Sequence, residues 1–222
     1  MHAFDFGKLC VISPHLDDAV FGCGELLAKC HDPVAVTVFA GIPPSDDEPT
    51  PWDRACGSSG AAEAMSCRRR EDRMALERLG ARPLWLQFLD SQYGATPSES
   101  DIAGELLRVI SQERPDSVLM PMGLYHSDHE LAHGACLTLR RLASAQRWLL
   151  YEDAIYRRHA GLLQKRLAGL WNQGIMVTPA LTEPVHAEKQ AAVRCYASQM
   201  KALGPQRWRD TDQPEHYWQW NE

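Results

Sequence analysis

The amino-acid sequence predicts an α/β fold, with a mostly parallel sheet and helices on both faces. Three observations carry that prediction. Short apolar, β-branched runs alternate with longer stretches of helical spacing. Gly and Pro punctuate the joints between them. The chain has 222 residues, 45% of them apolar, enough to bury one substantial core, so a single domain over residues 1–222 is expected.

Leu9-Cys10-Val11-Ile12 is the first strand, and after Pro14 a helix is expected from Ala19 to Cys30. Val34 to Phe39 is the clearest strand and ends at Gly41. Ile42 to Gly60 is rich in Pro, Ser, Gly and Asp, too polar for a core element, and reads as a mobile rim loop. Arg68 to Leu79 is helical, with Ala75, Leu76 and Leu79 on one face and Gly80 as its stop. Pro83 to Leu89 is a third strand, Asp90 to Gly94 a loop, Ile102 to Glu113 a helix and Ser117 to Met120 a fourth strand. Leu131 to Ala143 is helical, and Trp148 to Tyr151 is a fifth strand. Beyond Glu152 the pattern thins. Ile175-Met176-Val177 reads as a short strand, Glu183 to Lys201 as a helix, and the tail with Trp208, Tyr217, Trp218 and Trp220 as a packed flap, because large aromatics usually bury. The whole is a Rossmann-like three-layer arrangement. If its strand order is 3-2-1-4-5, strands one and four are neighbours, and ligands collect beyond their carboxyl ends.

Composition narrows the partners. A net charge of −6 argues against nucleic acid, whose phosphates demand a concentrated basic face. Arg68-Arg69-Arg70 is followed at once by Glu71 and Asp72, the pattern of a solvated helix face. No stretch approaches the length that crosses a bilayer, and Met1-His2-Ala3-Phe4-Asp5 lacks the basic-then-apolar order of a signal peptide, so no membrane partner is expected. Seven cysteines, an odd number with no CxxC pair, point to a reducing cytoplasm.

Two clusters carry chemistry: His15-Leu16-Asp17-Asp18 after strand one and His126-Ser127-Asp128-His129 after strand four. Imidazole and carboxylate together hold a divalent ion, and a hydrolytic site needs only three protein ligands plus one open position for water. Taken singly, Asp18 also reads as a helix N-cap and His15 as a hydrogen-bonded loop residue. His129 and His133 have i, i+4 spacing, but the HExxH pattern is absent and the first cluster already supplies partners, which counts against His133.

His15-Leu16-Asp17-Asp18, followed by Val20-Phe21-Gly22-Cys23-Gly24, resembles the HPDDE-type motif of the PIG-L/LmbE family of zinc-dependent deacetylases, and His126-Ser127-Asp128-His129 resembles its HxDH motif. Further matches are Arg68 and Glu71 ahead of Leu79-Gly80, Asp90 after strand three, and Lys189 with Tyr196, Ser198 and Gln199. Leu16 stands where the family usually has proline, and Ala19 where it has an acid. The resemblance implies one zinc ion per chain on His15, Asp18 and His129. It also implies Asp17 as general base, a protonated His126 steadying the oxyanion, and Asp128 orienting a histidine. Arg68 and Asp90 become substrate-binding residues; their local alternatives are a helix-surface pair with Glu71 or Asp72, and a strand-end turn. Tyr196, Ser198 and Gln199 either close the pocket or pack it. The implied reaction removes acetyl from an N-acetylated amino sugar, of the N-acetylglucosamine type, or its conjugate. A more distant resemblance is to zinc-dependent hydratases of unsaturated carboxylic acids. A binding module with a structural metal fits poorly, because structural zinc favours a closed, cysteine-rich shell. Oligomeric state stays open, a homo-oligomer included.

Overall fold

The computed structural model describes residues 5–94, 96–143 and 145–221; the segment Met1-His2-Ala3-Phe4 lies outside the described residues. In chain order, β1 (Leu9–Ser13), α1 (Asp18–Lys29), β2 (Val34–Thr37), α2 (Pro51–Cys56), α3 (Ala61–Arg78), β3 (Arg82–Trp85), α4 (Glu99–Glu113), β4 (Ser117–Pro121), α5 (Ser127–Leu142) and β5 (Arg147–Tyr151) form the alternating part. Then come α6 (Leu162–Asn172), β6 (Met176–Glu183), α7 (Ala187–Val193), α8 (Ala197–Thr211) and β7 (Glu215–Asn221). Sheet order is β3-β2-β1-β4-β5-β7-β6, so the expected 3-2-1-4-5 order holds. Its first five strands are parallel, while β7 runs antiparallel to both β5 and β6.

Strands β1, β2 and β4 are buried along their whole length, as parallel strands covered on both faces must be, and this is why they read as unbroken apolar runs. Leu9 pairs with Ser117 and Val11 with Leu119, which places the carboxyl ends of β1 and β4 side by side. From β1 the chain steps outward to β2 and β3, then returns past β1 to β4. The crevice between the β1 and β4 loops is therefore the topological switch point.

Three expectations are corrected. The rim from Ile42 to Gly60 is not all loop. Thr50 Oγ1 accepts from Asp53 N (3.1 Å) while the Asp53 carboxylate accepts from Thr50 N (2.9 Å), a capping box that starts α2, with Pro51 in the first turn and Gly57 (φ +98°) ending it. Asp53 also accepts from the Tyr93 hydroxyl (2.9 Å), and Trp52 Nε1 donates to Gln199 (3.2 Å), so the helix is docked. Second, the helix expected over Glu183 to Lys201 is replaced by the end of β6, α7 and α8, with a break at Arg194-Cys195-Tyr196. Third, the aromatic tail is no flap. Residues Glu215–Asn221 insert as β7 between β5 and β6, burying Glu215 and Tyr217 on alternate positions.

Tight spots fix how the helices meet this sheet. A Cβ on Gly22 of α1 would sit 2.7 Å from the Tyr151 ring of β5, so only glycine permits that approach. At Gly24 it would meet the Lys189 side chain at 2.8 Å. Lys189 is fully buried; its Nζ donates to Phe21 O (2.7 Å) and pairs with Glu215 Oε1 (2.7 Å). Glu215 also accepts from Glu25 N, so one buried ion pair ties α1, α7 and β7 together. All seven cysteines are free, and among the described residues no helix is long and apolar enough to cross a membrane.

Breaking a buried pair strands its remaining charge. Lys189→Met should cost about 3 to 5 kcal/mol in chemical denaturation, and adding Glu215→Gln should recover much of it. Equal losses in single and double variants would show that the pair is not what couples these elements.

Candidate active site

The turn after β1 is built by backbone capture. Ser13 Oγ donates to His15 O (2.7 Å) and accepts from Ala19 N (2.9 Å), while His15 N donates to Asp18 Oδ2 (2.9 Å). Asp17, not Asp18, occupies the N-cap position of α1, and its side chain caps nothing. The helix-cap reading of Asp18 is therefore corrected: this carboxylate is the first helical residue and points back over the turn. Leu16, in place of proline, is fully buried in a small apolar cluster with Ala40 and Met65, so the departure removes no polar group. Beyond β4, His126 caps α5: its Nδ1 accepts from Asp128 N (3.2 Å), which leaves the ring proton on Nε2.

The two turns meet. One donor atom each from His15, Asp18 and His129 lie within 4.8 Å of one another. His129 Nε2 is 3.1 Å from Asp18 Oδ2 but outside hydrogen-bonding geometry, and it is a fully buried nitrogen with no hydrogen-bond partner. Its other nitrogen is held by Asp153 Oδ1 at 2.5 Å, and the second Asp153 oxygen accepts from Leu124 N (3.0 Å). His15 is braced in the same way: Nε2 meets Asp128 Oδ2 at 2.9 Å, leaving Nδ1 on the Asp18 side at 3.5 Å. Two imidazoles each backed by a carboxylate, an unpartnered nitrogen and an inward carboxylate form a cluster that can coordinate a divalent metal. A second set, His15 with His126 and Asp128, is equally close, but Asp128 is already engaged by His15 and by Ser91 N (3.1 Å).

Electrostatics follow from this packing. Burial opposes charge on His129, yet Asp18 and Asp153 raise its pKa to about 9; burial opposes charge on His15 too, yet Asp90, Asp128 and Asp18 hold it well above the ordinary value. Asp18 is held well below the usual carboxylate range, because His129 and His15 outweigh its burial. Asp17 is pushed up to about 7, first by burial and then by the charge of Asp18. Burial, with the charge of His15 adding to it, holds the pKa of His126 below its ordinary value, and the N–H that Asp128 donates to Nδ1 leaves Nε2 as the nitrogen that carries a ring proton.

A cavity of about 360 Å³ opens over the cluster. His15, Asp17, Asp18, Arg68, Asp90 and His126 line it, while Asp128 and His129 are buried behind its wall. Arg68 is only 4% exposed and pairs with Asp90 Oδ2 (3.3 Å), so neither the solvated face nor the local pairing forms. Glu71 instead accepts from Ser198 N (2.8 Å), and Asp72 from Trp85 Nε1 (2.7 Å) and the Tyr196 hydroxyl (2.8 Å). Asp90 caps the 3-10 turn Ser91–Tyr93, as its strand-end turn reading expects, and also lines the cavity. Gln199 reaches the cavity, while Tyr196 and Ser198 pack. His133 stands apart, donating from Nδ1 to Pro121 O (2.9 Å), its pKa pushed down to about 4 by burial. Sequence reasoning missed Asp153, Tyr125, Tyr156, Trp52 and Arg207. Only Asp153 left a signal: an acid two residues past the end of β5, the strand beside β4.

The model of PIG-L, described as GlcNAc-PI de-N-acetylase, matches residues 10–139. A 2'-N-acetylparomamine deacetylase from Streptomyces fradiae is 30% identical over 58% of this chain and 50% of its own length, so the chain spans about half of that curated relative. The crystal structure of the A40926 pseudoaglycone deacetylase Dbv21 aligns over 98% of both chains, with a TM-score of 0.81 and 26% identity. The 4-carboxy-2-hydroxymuconate hydratase of Pseudomonas putida aligns over 97% of this chain and 96% of its own, with a TM-score of 0.67 and 19% identity, and shares the fold alone. The matched span contains both His/Asp clusters and more than half of the 222 residues, and the chain belongs to the PIG-L family.

Proposed function

We propose that this chain is a zinc-dependent hydrolase that removes the acetyl group from an N-acetylated amino sugar or its conjugate. The observation that carries the reading is the convergence of His15, Asp18 and His129 beneath a cavity whose wall also presents Asp17 and His126. The 2'-N-acetylparomamine deacetylase supports an acetylated amine as the group attacked. The unpaired cysteines support a reducing compartment.

Zinc on His15, Asp18 and His129 would lower the pKa of water to about 7 and polarise the amide carbonyl. The residues of the chain do the rest. Asp17 is held basic by its burial; it takes a proton from the attacking water and later delivers it to the departing nitrogen. The water oxygen bonds to the carbonyl carbon, the C–N bond breaks, and acetate and a free amine leave. His126 donates Nε2–H to the developing oxyanion as a neutral ring. Asp128 and Asp153 fix the orientation of His15 and His129. The Arg68–Asp90 pair offers donors and an acceptor to sugar hydroxyls.

Metal-loaded protein incubated with N-acetylglucosamine conjugates should release free amine. No amine, together with hydration of an unsaturated carboxylic acid, would establish the hydratase reading instead. Asp17→Asn should keep its zinc while kcat drops by about 10² to 10⁴; undiminished turnover would remove Asp17 as the base. His129→Ala should lose stoichiometric metal, read by elemental analysis after dialysis.

The pKa of His129, raised to about 9, means that the metal-free ring is protonated at neutral pH and must shed that proton to ligate. Zinc binding should therefore release protons at pH 7 and tighten as pH rises toward 9. Calorimetry in buffers of different ionisation heat measures the release, and an identical heat in all of them would contradict the ligand set.

A further inference from the structure

The loop from β4 to α5 is anchored at both ends. His133 Nδ1 donates to Pro121 O (2.9 Å), Met122 N to Tyr151 O (2.8 Å), Arg166 Nη2 to Gly123 O (2.5 Å) and Leu124 N to Asp153 Oδ2 (3.0 Å). Only glycine fits at 123, where a Cβ would sit 2.5 Å from the Cβ of His133. At the far end His126 is fixed by accepting Asp128 N on Nδ1 (3.2 Å) and Glu130 N on its carbonyl (3.0 Å). A single residue, Tyr125, joins Leu124 to His126.

Tyr125 makes the join at φ +68°, with His126 N donating to Leu124 O (2.8 Å). A three-residue turn centred on positive φ is the rare, strained form of γ-turn. Among the described residues, the other non-glycine positive φ values belong to Asp32, in the turn after α1, and Arg114, the C-terminal cap of α4, where left-handed backbone is ordinary. Tyr125 ends no helix. Strain of this kind persists only where the surroundings over-determine it. The Tyr125 ring, although 59% exposed, stacks on both His159 (5.1 Å between centroids, 7° between planes) and Tyr156 (5.3 Å, 26°). Both partners lie on the turn that begins at Asp153, where Tyr156 N donates to Asp153 O and His159 N to Tyr156 O (3.0 Å each). One short segment after β5 therefore grips the γ-turn twice, at Leu124 N through the Asp153 carboxylate and at Tyr125 through two rings.

We infer that Tyr125 is a positioning residue: its stacked ring clamps a strained γ-turn, and that turn sets the His126 imidazole at the cavity wall. Glycine adopts such a φ freely but has nothing to hold it, whereas alanine bears the strain without the clamp. The catalytic consequence rests on the deacetylase reading, in which His126 faces the developing oxyanion; the placement of the ring does not.

The test uses the zinc-loaded full chain and three variants, each checked for folding by thermal melt and for zinc content. Tyr125→Ala should lose about 10- to 100-fold in kcat for N-acetylglucosamine conjugates, with KM nearly unchanged, because the oxyanion donor is misplaced. Tyr125→Gly, freed of the strain, should lose only about 3-fold. Tyr125→Phe, which keeps the ring, should restore what alanine loses. Nitrogen-15 spectra of the histidines in mildly alkaline buffer supply a readout that needs no substrate. Wild type should show His126 with its proton on Nε2, and Tyr125→Ala a mixture of both tautomers. Equal losses in the alanine and glycine variants, or a loss carried by KM, would overturn the clamp, as would an unchanged His126 tautomer in Tyr125→Ala. A tautomer shift without amine release from wild type keeps the positioning role and removes the deacetylase; amine release with no tautomer shift does the reverse.

Discussion

The buried lattice of carboxylates and imidazoles at the β1/β4 switch point is the constraint from which the rest follows. Parallel pairing of β1 with β4 forces two polar turns into one place, and burying charges there is tolerable only if each finds a partner. Three such pairings hold the lattice: Asp128 on His15, Asp153 on His129, Asp90 on Arg68. Arg68 Nε and a nitrogen of His129 stay without a hydrogen-bond partner, and the His129 nitrogen, close to Asp18, belongs to the set of atoms that can coordinate a divalent metal.

Holding this lattice rigid falls to parts of the chain that carry no motif chemistry. Residues Glu215–Asn221 zip onto β5, and β5 delivers Asp153 to the back of His129. The buried Lys189–Glu215 pair locks that strand to α1, the helix that begins with Asp18. The C-terminal elements also face the cavity through Gln199, Leu203 and Arg207, so the same segment braces the site and shapes its wall.

How much of this was legible depended on how local each signal is. Strands β1, β2 and β4 could be read because strands buried on both faces are continuous apolar runs. The start of α3 could not, since Gly60 at its cap has no side chain to announce it. The α2 capping box was present as Thr50-Pro51-Trp52-Asp53 but was masked by its polar surroundings, and the period-two pattern of β7 was masked by charges. Arg68 read as solvent-facing because its acidic sequence neighbours suggested local pairing; its real partner, Asp90, is 22 residues away. Both motif clusters were legible as sequence, but the tautomer of His126 was not, because it is fixed by a backbone amide whose position only the fold determines.

Asp17 and Asp18 show why the pairing matters more than the residue type. They are adjacent, both buried and chemically identical, yet burial raises Asp17 to about 7 while Asp18 is driven well below the ordinary range. The difference is the company each keeps: Asp18 reaches the rings of His129 and His15, whereas Asp17 caps no helix and faces the cavity. One carboxylate is thereby kept anionic and suited to ligation, and the other is kept basic enough to exchange a proton near neutrality. A turn that exchanged their orientations would retain the same composition and lose that division, so the site's capacity for chemistry resides in the Ser13–His15–Asp18 hydrogen bonds that fix which carboxylate faces which way.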